Sequence, residues 1–268
     1  MYLQISSDRM TIPRIVTDKA YSAYEVQLEK QVKEGDIPGH IAIIMDGNRR
    51  YAKEVLNAEP MEGHKLGRDK VDEVLHWCLN LGVKHLTVYA FSTENFSRDQ
   101  DEIIYIMDMM AKSLRDLADD EEVHKYHVGV RIIGDKEMLP DDLLESIKYA
   151  EERTKDYDDF VFTMAVAYGG RQDIVNAVRE IALKVKNGEI DVDEIDEGMI
   201  NSFISTNNMP DPDLILRTSG EVRVSNFLLW QMAYSELYFS DVYWPGFRYI
   251  DFLRAVRTYQ QRKRRFGK

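Results

Sequence analysis

The amino-acid sequence predicts an α/β fold, with a mainly parallel central sheet of about six strands and helices covering both faces. Two observations predict it. Short apolar runs alternate with segments of helical periodicity along most of the chain. Polar clusters follow several of those runs directly, as expected where strands of a parallel sheet deliver ligand-binding loops at their carboxyl ends.

Residues 1–39 read as a helical N-terminal extension. Tyr21, Tyr24, Leu28 and Val32 recur at near-helical spacing, and Gly35 with Pro38 ends the segment. The run His40 to Met45 is a buried strand opening into a loop at Asp46-Gly47-Asn48. A helix follows from about Lys65 to Leu81, ended by Gly82. His85 to Phe91 is a second strand. Asp101 to Leu117 is a helix with Ile103, Ile106, Met107, Met110, Leu114 and Leu117 on one side.

Val128 to Ile133 is the third strand, and Pro140 with Asp141 opens a helix to about Thr154. Phe160 to Tyr168 is the fourth strand. Residues 172–187 are helical up to Gly188, as are 196–205. Asp213 to Arg217 and Glu236 to Phe239 are short strands, and the last helix covers about 249–265. No repeat or low-complexity stretch interrupts this order, so 40–268 reads as a single domain.

The net charge of −12 argues against a nucleic-acid binder, which needs clustered Lys and Arg. The exception is the basic end Arg254, Arg257, Arg262, Lys263, Arg264, Arg265 and Lys268, which a solvated helix terminus also explains. Cys78 is the sole cysteine, so no intrachain disulfide and no thiolate zinc cluster can form; its apolar neighbours suggest a buried thiol. No apolar run approaches the length of a membrane span and no signal peptide opens the chain. The expectation is a cytoplasmic protein with at most peripheral membrane contact.

Four clusters carry candidate chemistry. Asp46-Gly47-Asn48-Arg49-Arg50-Tyr51 combines a carboxylate, a permissive glycine, an amide and two guanidinium groups, which suits a diphosphate with a divalent ion. An Asx-type turn is the competing reading. Ser92-Thr93-Glu94-Asn95-Phe96-Ser97-Arg98 offers hydroxyl and amide groups able to receive or relay a proton, although Ser97 also suits an ordinary helix cap. Tyr168-Gly169-Gly170-Arg171 allows a tight turn or a close approach to phosphate. Arg217 to Asn226 sets two arginines among hydroxyls and a glycine, an anion-binding composition. Glu236 sits in an aromatic, apolar stretch, where a carboxylate needs a cation or metal partner. Together these suggest phosphate binding beside an apolar wall supplied by the helix 101–117; they leave the reaction open.

The blocks HIAIIMDGNRRY (40–51), Gly63-His64-Lys65, YAFSTENFSR (89–98), Tyr168 to Arg171, RTSGEVRVSN (217–226), Phe227 to Phe239 and Arg265-Phe266-Gly267 resemble, in order, the undecaprenyl diphosphate synthase family of cis-prenyltransferases. The resemblance covers about 40–267. It implies a butterfly-like homodimer with a hydrophobic product tunnel. The implied reaction adds isopentenyl diphosphate, with cis double bonds, to an allylic diphosphate primer. The product is a long-chain polyprenyl diphosphate, precursor of a lipid glycosyl carrier.

By the same resemblance, Asp46 holds Mg²⁺ or the allylic diphosphate, which Gly47, Asn48, Arg49 and Arg50 cradle beside Tyr51 and His64. Ser92, Thr93, Glu94, Asn95, Phe96 and Arg98 form the positioning loop, with Asn95 as the proton acceptor. Arg217, Arg223, Val224 and Ser225 bind isopentenyl diphosphate and Glu236 is a second Mg²⁺ ligand. Arg265 and Gly267 reach the partner subunit. The sequence departs from bacterial members at Arg49-Arg50-Tyr51, where Gly-Arg-Trp is usual, and lacks their arginine near Pro60, for which Arg49 is the candidate replacement. Val222 stands where bacteria often have histidine. These traits, with the N-terminal extension and Ser219, look archaeal, and imply geranylgeranyl diphosphate ahead of farnesyl diphosphate as primer. The rival readings are a non-catalytic partner subunit and a phosphohydrolase with Asp46 as nucleophile. A trans-prenyltransferase would need Asp-Asp-x-x-Asp motifs on an all-helical pattern, which the sequence lacks.

Overall fold

The all-apolar run after residue 40 has no polar face to give to water, so it must lie at the centre of a sheet. In the computed structural model, which describes residues 14–262, β1 (His40–Ile44) is buried along its whole length. The described residues run from α1 (Arg14–Lys33) to β1, then turn through α2 (Asn48–Tyr51) into α3 (Pro60–Leu81). β2 (His85–Ser92), α4 (Gln100–Asp119), α5 (Glu121–Lys125), β3 (Val128–Ile133) and α6 (Asp141–Arg153) follow. Then come β4 (Phe160–Tyr168), α7 (Gly170–Lys186), α8 (Glu197–Phe203), β5 (Leu214–Arg217), β6 (Glu236–Phe239) and α9 (Tyr249–Gln261).

The six strands are ordered β3-β4-β2-β1-β5-β6, and every neighbouring pair is parallel. All carboxyl ends therefore meet at one edge, where Ile44 is in register with Tyr89 on one side and Arg217 on the other. Alternation along β1 sends Ile41 and Ile43 to the larger core, with Leu75 and Cys78 of α3, Met107 and Met110 of α4, and Phe252 of α9. Ala42 and Ile44 face the opposite layer with Tyr89, Tyr168, Phe227 and Leu228. Cys78 is a buried free thiol whose pKa burial pushes up, so it is inert packing. In the N-terminal segment, Leu28 and Val32 are buried and α1 packs on α9, with Gln260 Nε2 donating to Val32 O at 2.8 Å.

Three expectations are corrected. The loop after β1 is helical from Asn48, continuing through a π-helical turn at Ala52–Leu56 that ends at Asn57 with φ 51°. α3 starts at Pro60, ahead of Lys65, because proline suits the first turn of a helix, where its missing N–H is not needed. Ser97 does not cap α4: Asp99 accepts from Asp101 N–H, while the Ser97 hydroxyl donates to Glu94 O. Residues 263–268, including Arg265 and Gly267, lie outside the described residues.

His40 gives β1 a pH dependence. Its ring is 1 % exposed; Nδ1–H donates to Pro210 O at 2.7 Å, which leaves Nε2 to accept from the Thr87 hydroxyl at 2.8 Å. Burial pushes its pKa down to about 4, against the pull of Pro210 O. The unfolded chain therefore binds the proton first, near pH 6.5, and stability is lost as pH falls from there toward 4. The loss is expected to reach about 3 kcal/mol. Urea unfolding at pH 7.5 and 4.5 measures it; a midpoint unchanged between the two refutes it.

Candidate active site

The loops after β1 and β5 are locked together by Thr218. Its hydroxyl donates to Asp46 O at 2.7 Å and accepts from Asp46 N–H at 3.0 Å. Gly47 then turns the chain at φ 103°, and a Cβ there would lie 2.7 Å from the Tyr243 ring. A side chain is thus excluded twice, by conformation and by space. The turn aims the Asp46 carboxylate at Arg217 Nη2, 2.7 Å away, with Arg50 Nη2 at 3.4 Å. Burial opposes its ionisation, but the hydrogen bond and charge of Arg217, with Arg50 behind, hold its carboxyl below the usual carboxylate range.

Arg217 is 4 % exposed and spans three partners. Nη1 donates to Arg223 O at 2.6 Å and to Ser225 Oγ at 2.7 Å, while Nη2 holds Asp46; Nε is buried and unpartnered. Arg50 reaches the same loop through Ser219 Oγ at 2.6 Å and Glu221 Oε1 at 3.1 Å, and its guanidinium lies over the Tyr243 ring. Glu221 also pairs with Arg223. Three arginines therefore converge on two carboxylates, which leaves a surplus of positive charge for an anion.

A second cationic group centres on Glu102 of α4, only 6 % exposed. It accepts from His64 Nε2 at 3.0 Å and Arg98 Nη1 at 3.3 Å, and Arg49 Nε lies 3.7 Å away. Burial lowers the His64 pKa despite the opposing pull of Glu102, so its ring is neutral at pH 7 and above. Close contact between α2 and α3 brings these groups together: a Cβ on Gly63 would sit 2.1 Å from Asn48 O. Asn48 Oδ1 is buried there without a partner. Sequence reasoning missed Glu102, which resembled one more first-turn helix acid. Its position four residues after Arg98 was the available signal.

Asp46, Gly47, Asn48, Arg49, Arg50, His64, Ser92, Asn95, Arg98, Arg217, Arg223 and Ser225 all line one cavity of about 830 Å³. Asn95 Oδ1 accepts from Ser92 N–H at 3.0 Å, which fixes its carboxamide. Beyond this polar mouth the cavity passes Val71 and Leu75 of α3, Ile106, Met110 and Leu114 of α4, and Val88, Phe162 and Met164 of the sheet. The other predicted residues stand outside its wall. Thr93 and Glu94 brace each other, and Glu94 accepts from Asn226; Phe96 packs edge-on against Phe91. Tyr51 lies against Gly246, and Val224 packs on the Phe227 layer. Gly169 and Gly170 allow close approach to Asn226 and Leu229, with Gly170 N–H on Asn226 O at 2.7 Å, so they brace the 217–226 loop.

Glu236 starts β6 and accepts from Arg262 Nη1 at 2.6 Å. It is level with Leu214 and Ile41, about 16 Å along the strands from Asp46. The two predicted metal ligands thus do not meet within one protomer. Among the described residues there is no group of three or more His, Cys, Asp or Glu able to hold a metal ion. One ionised carboxylate beside an anion site still fits Mg²⁺, which is commonly held by one or two carboxylates plus substrate phosphate oxygens.

Residues 44–267 match the family model described as putative undecaprenyl diphosphate synthase. The chain belongs to that family. A Methanopyrus kandleri relative named tritrans,polycis-undecaprenyl-diphosphate synthase (geranylgeranyl-diphosphate specific) is 54 % identical over 255 residues, covering 95 % of this chain and 94 % of that one. A Methanocaldococcus jannaschii protein of the same name is 54 % identical over 247 residues, 91 % and 88 % of the two chains. The structure resembles lavandulyl diphosphate synthase from Lavandula x intermedia, solved with dimethylallyl diphosphate, at a TM-score of 0.81 and 37 % identity, over 87 % of this chain and 99 % of that one. It also resembles a probable undecaprenyl diphosphate synthase from Campylobacter jejuni, at TM-score 0.70 and 31 % identity over 87 % and 100 %. The protein is thus a cis-prenyltransferase, as its motif blocks implied. Among the described residues no helix is long and apolar enough to cross a membrane.

Proposed function

We propose that this cis-prenyltransferase extends geranylgeranyl diphosphate with isopentenyl diphosphate, in repeated cis additions, to a long-chain polyprenyl diphosphate for a lipid glycosyl carrier. One observation carries the reading: two arginine groups share the mouth of a single cavity whose far end is mainly apolar. The relatives' specificity for geranylgeranyl diphosphate supports that primer over farnesyl diphosphate.

In this reading Arg49, Arg50 and Arg98, with Gly47, Asn48 and His64, receive the allylic diphosphate. Arg217, Arg223 and Ser225 receive isopentenyl diphosphate, so the two substrates are aligned before reaction. The allylic C–O bond breaks, the diphosphate leaves with the electron pair, and the arginines stabilise its charge. The double bond of isopentenyl diphosphate supplies the pair for the new C–C bond. Loss of a proton restores an alkene, with Asn95, held by Ser92 N–H, as the acceptor. Mg²⁺, held by Asp46 with diphosphate oxygens, would neutralise further charge on the leaving group. The apolar end of the cavity takes the growing tail as a product tunnel, and excludes water from the reacting carbon.

Residues 40–268 form the catalytic domain in this proposal, with 1–39 an added helical segment. The protein acts as a homodimer in the cytoplasm with at most peripheral membrane contact. Glu236 reaches a diphosphate site only from a second copy, in company with Arg265 and Gly267.

The deciding assay supplies Mg²⁺, labelled isopentenyl diphosphate and geranylgeranyl, farnesyl or geranyl diphosphate. Elongation fastest on geranylgeranyl diphosphate is expected, and no elongation on any primer overturns the reading. Arg49→Ala tests the replacement of the arginine absent near Pro60. Losing one charge-assisted contact is expected to raise KM for the primer roughly tenfold, with KM for isopentenyl diphosphate little changed. Equal effects on both constants would remove Arg49 from the primer site.

A further inference from the structure

Between the arginine mouth and the apolar end of the cavity, one charged side chain spans the gap between two helices. Arg68 lies on α3, one turn beyond His64, and lines the cavity. Its Nε donates to Ser113 Oγ on α4 at 3.1 Å, and its two Nη atoms lie 3.1 Å from Asp69 and 3.6 Å from Asp116. Ser113 lines the same cavity and donates its hydroxyl to Met109 O at 2.8 Å. The hydrogen bonds of His64 and Arg68 to α4 are far apart: Glu102, which holds His64, precedes Ser113 by about 16 Å along α4.

Arg68 lines the cavity while its Nη atoms pair with Asp69 and Asp116, which are half-exposed and do not line it. A side chain that touches the cavity on one side and exposed groups on the other makes a wall one side chain thick. Beyond the mouth this seam is polar, whereas Val71, Leu75, Met110, Leu114, Phe162 and Met164 around it are apolar. An isoprenoid tail is stabilised by burial against those apolar groups. Pressing it past Arg68 would strip water from a guanidinium without giving it a polar partner, which is costly. The ion pairs of Arg68 with aspartates are half-exposed and weak. Across the gap Asp116 adds only such a weak pair, so the hydrogen bond to Ser113 is the stronger tie.

We propose that Arg68, tied to Ser113, is a length-determining bar across the α3–α4 seam. It keeps the growing tail inside the cavity, so that elongation stops when the apolar end is full. The inference rests on the prenyl-transfer reading above.

The experiment compares wild-type protein with Arg68→Ala and Ser113→Ala, supplied with geranylgeranyl diphosphate, excess labelled isopentenyl diphosphate and Mg²⁺. Products are dephosphorylated and resolved by chain length at matched turnover. Arg68→Ala is expected to shift the distribution upward by at least one five-carbon unit. Ser113→Ala, which keeps the cation and its weak pair with Asp116 but removes the hydrogen-bonded tie, shifts it the same way by less. If Arg68→Ala fails to fold, Ser113→Ala decides, because it removes one hydroxyl and little volume. Unchanged or shortened products from the folded variants overturn the bar while leaving prenyl transfer standing. A wild-type protein that adds no unit at all removes the functional reading, and this inference with it.

Discussion

Replacing Asp46 with alanine is expected to lower kcat by roughly 10²- to 10³-fold, the scale seen when one group that stabilises developing charge is removed from an enclosed site. The expectation rests on position. Asp46 is held on both sides of its peptide by Thr218, and its carboxylate stands between Arg217 and Arg50 at the mouth of the cavity. It is the mouth's ionised oxygen donor best placed to share a cation with a substrate diphosphate. The loss also leaves the guanidinium of Arg217, 4 % exposed, without its carboxylate, which is expected to cost about 1–3 kcal/mol of stability. Asp46→Asn separates the two effects, since it keeps the shape and one acceptor oxygen while removing the charge. Near-wild-type stability with a loss of kcat like that of alanine is the expected result. An alanine variant that folds and turns over normally would remove Asp46 from the reaction.

The same residue shows how far the sequence reaches. Asp46-Gly47 after an apolar run identified both a strand end and a charged turn, because a buried parallel strand has to release its polar residues at its carboxyl edge. Arg217 was legible for the same reason, at the end of β5 beside β1. Glu102 was legible only through its spacing from Arg98, because its partners His64 and Arg49 come from another part of the chain and meet it only when α2, α3 and α4 fold together. Glu236 went the other way. Its aromatic surroundings signalled a buried acid in need of a cation, and Arg262 supplies one from the end of α9. The helical path from Asn48 to Leu56 was hidden as well, since it continues through a π-helical turn that local propensity does not signal. Ordered motif blocks carried the family, while tertiary contacts decided which residues share the cavity.

Arg217 offers the second large effect, and a way to tell charge from geometry. Its two Nη atoms serve Asp46, Ser225 Oγ and Arg223 O at 2.6–2.7 Å, so it fixes the β1 and β5 loops relative to one another while presenting its own charge to the cavity. A lysine keeps the charge on a single nitrogen and cannot make the planar fork. Arg217→Lys is therefore expected to lower kcat/KM for isopentenyl diphosphate about tenfold to a hundredfold, and Arg217→Ala by about 10³-fold. Full activity in the lysine variant would show that charge alone suffices and that the fork is incidental. Because Asp46 and Arg217 are in contact, their effects should not add. Asp46→Ala leaves Arg217 without its carboxylate, Arg217→Ala leaves Asp46 with Arg50 alone at 3.4 Å, and the double alanine variant removes both partners at once. Its loss of stability is expected to be smaller than the sum of the two single losses. Additive losses in stability would mean that the 2.7 Å contact contributes nothing to holding the mouth together.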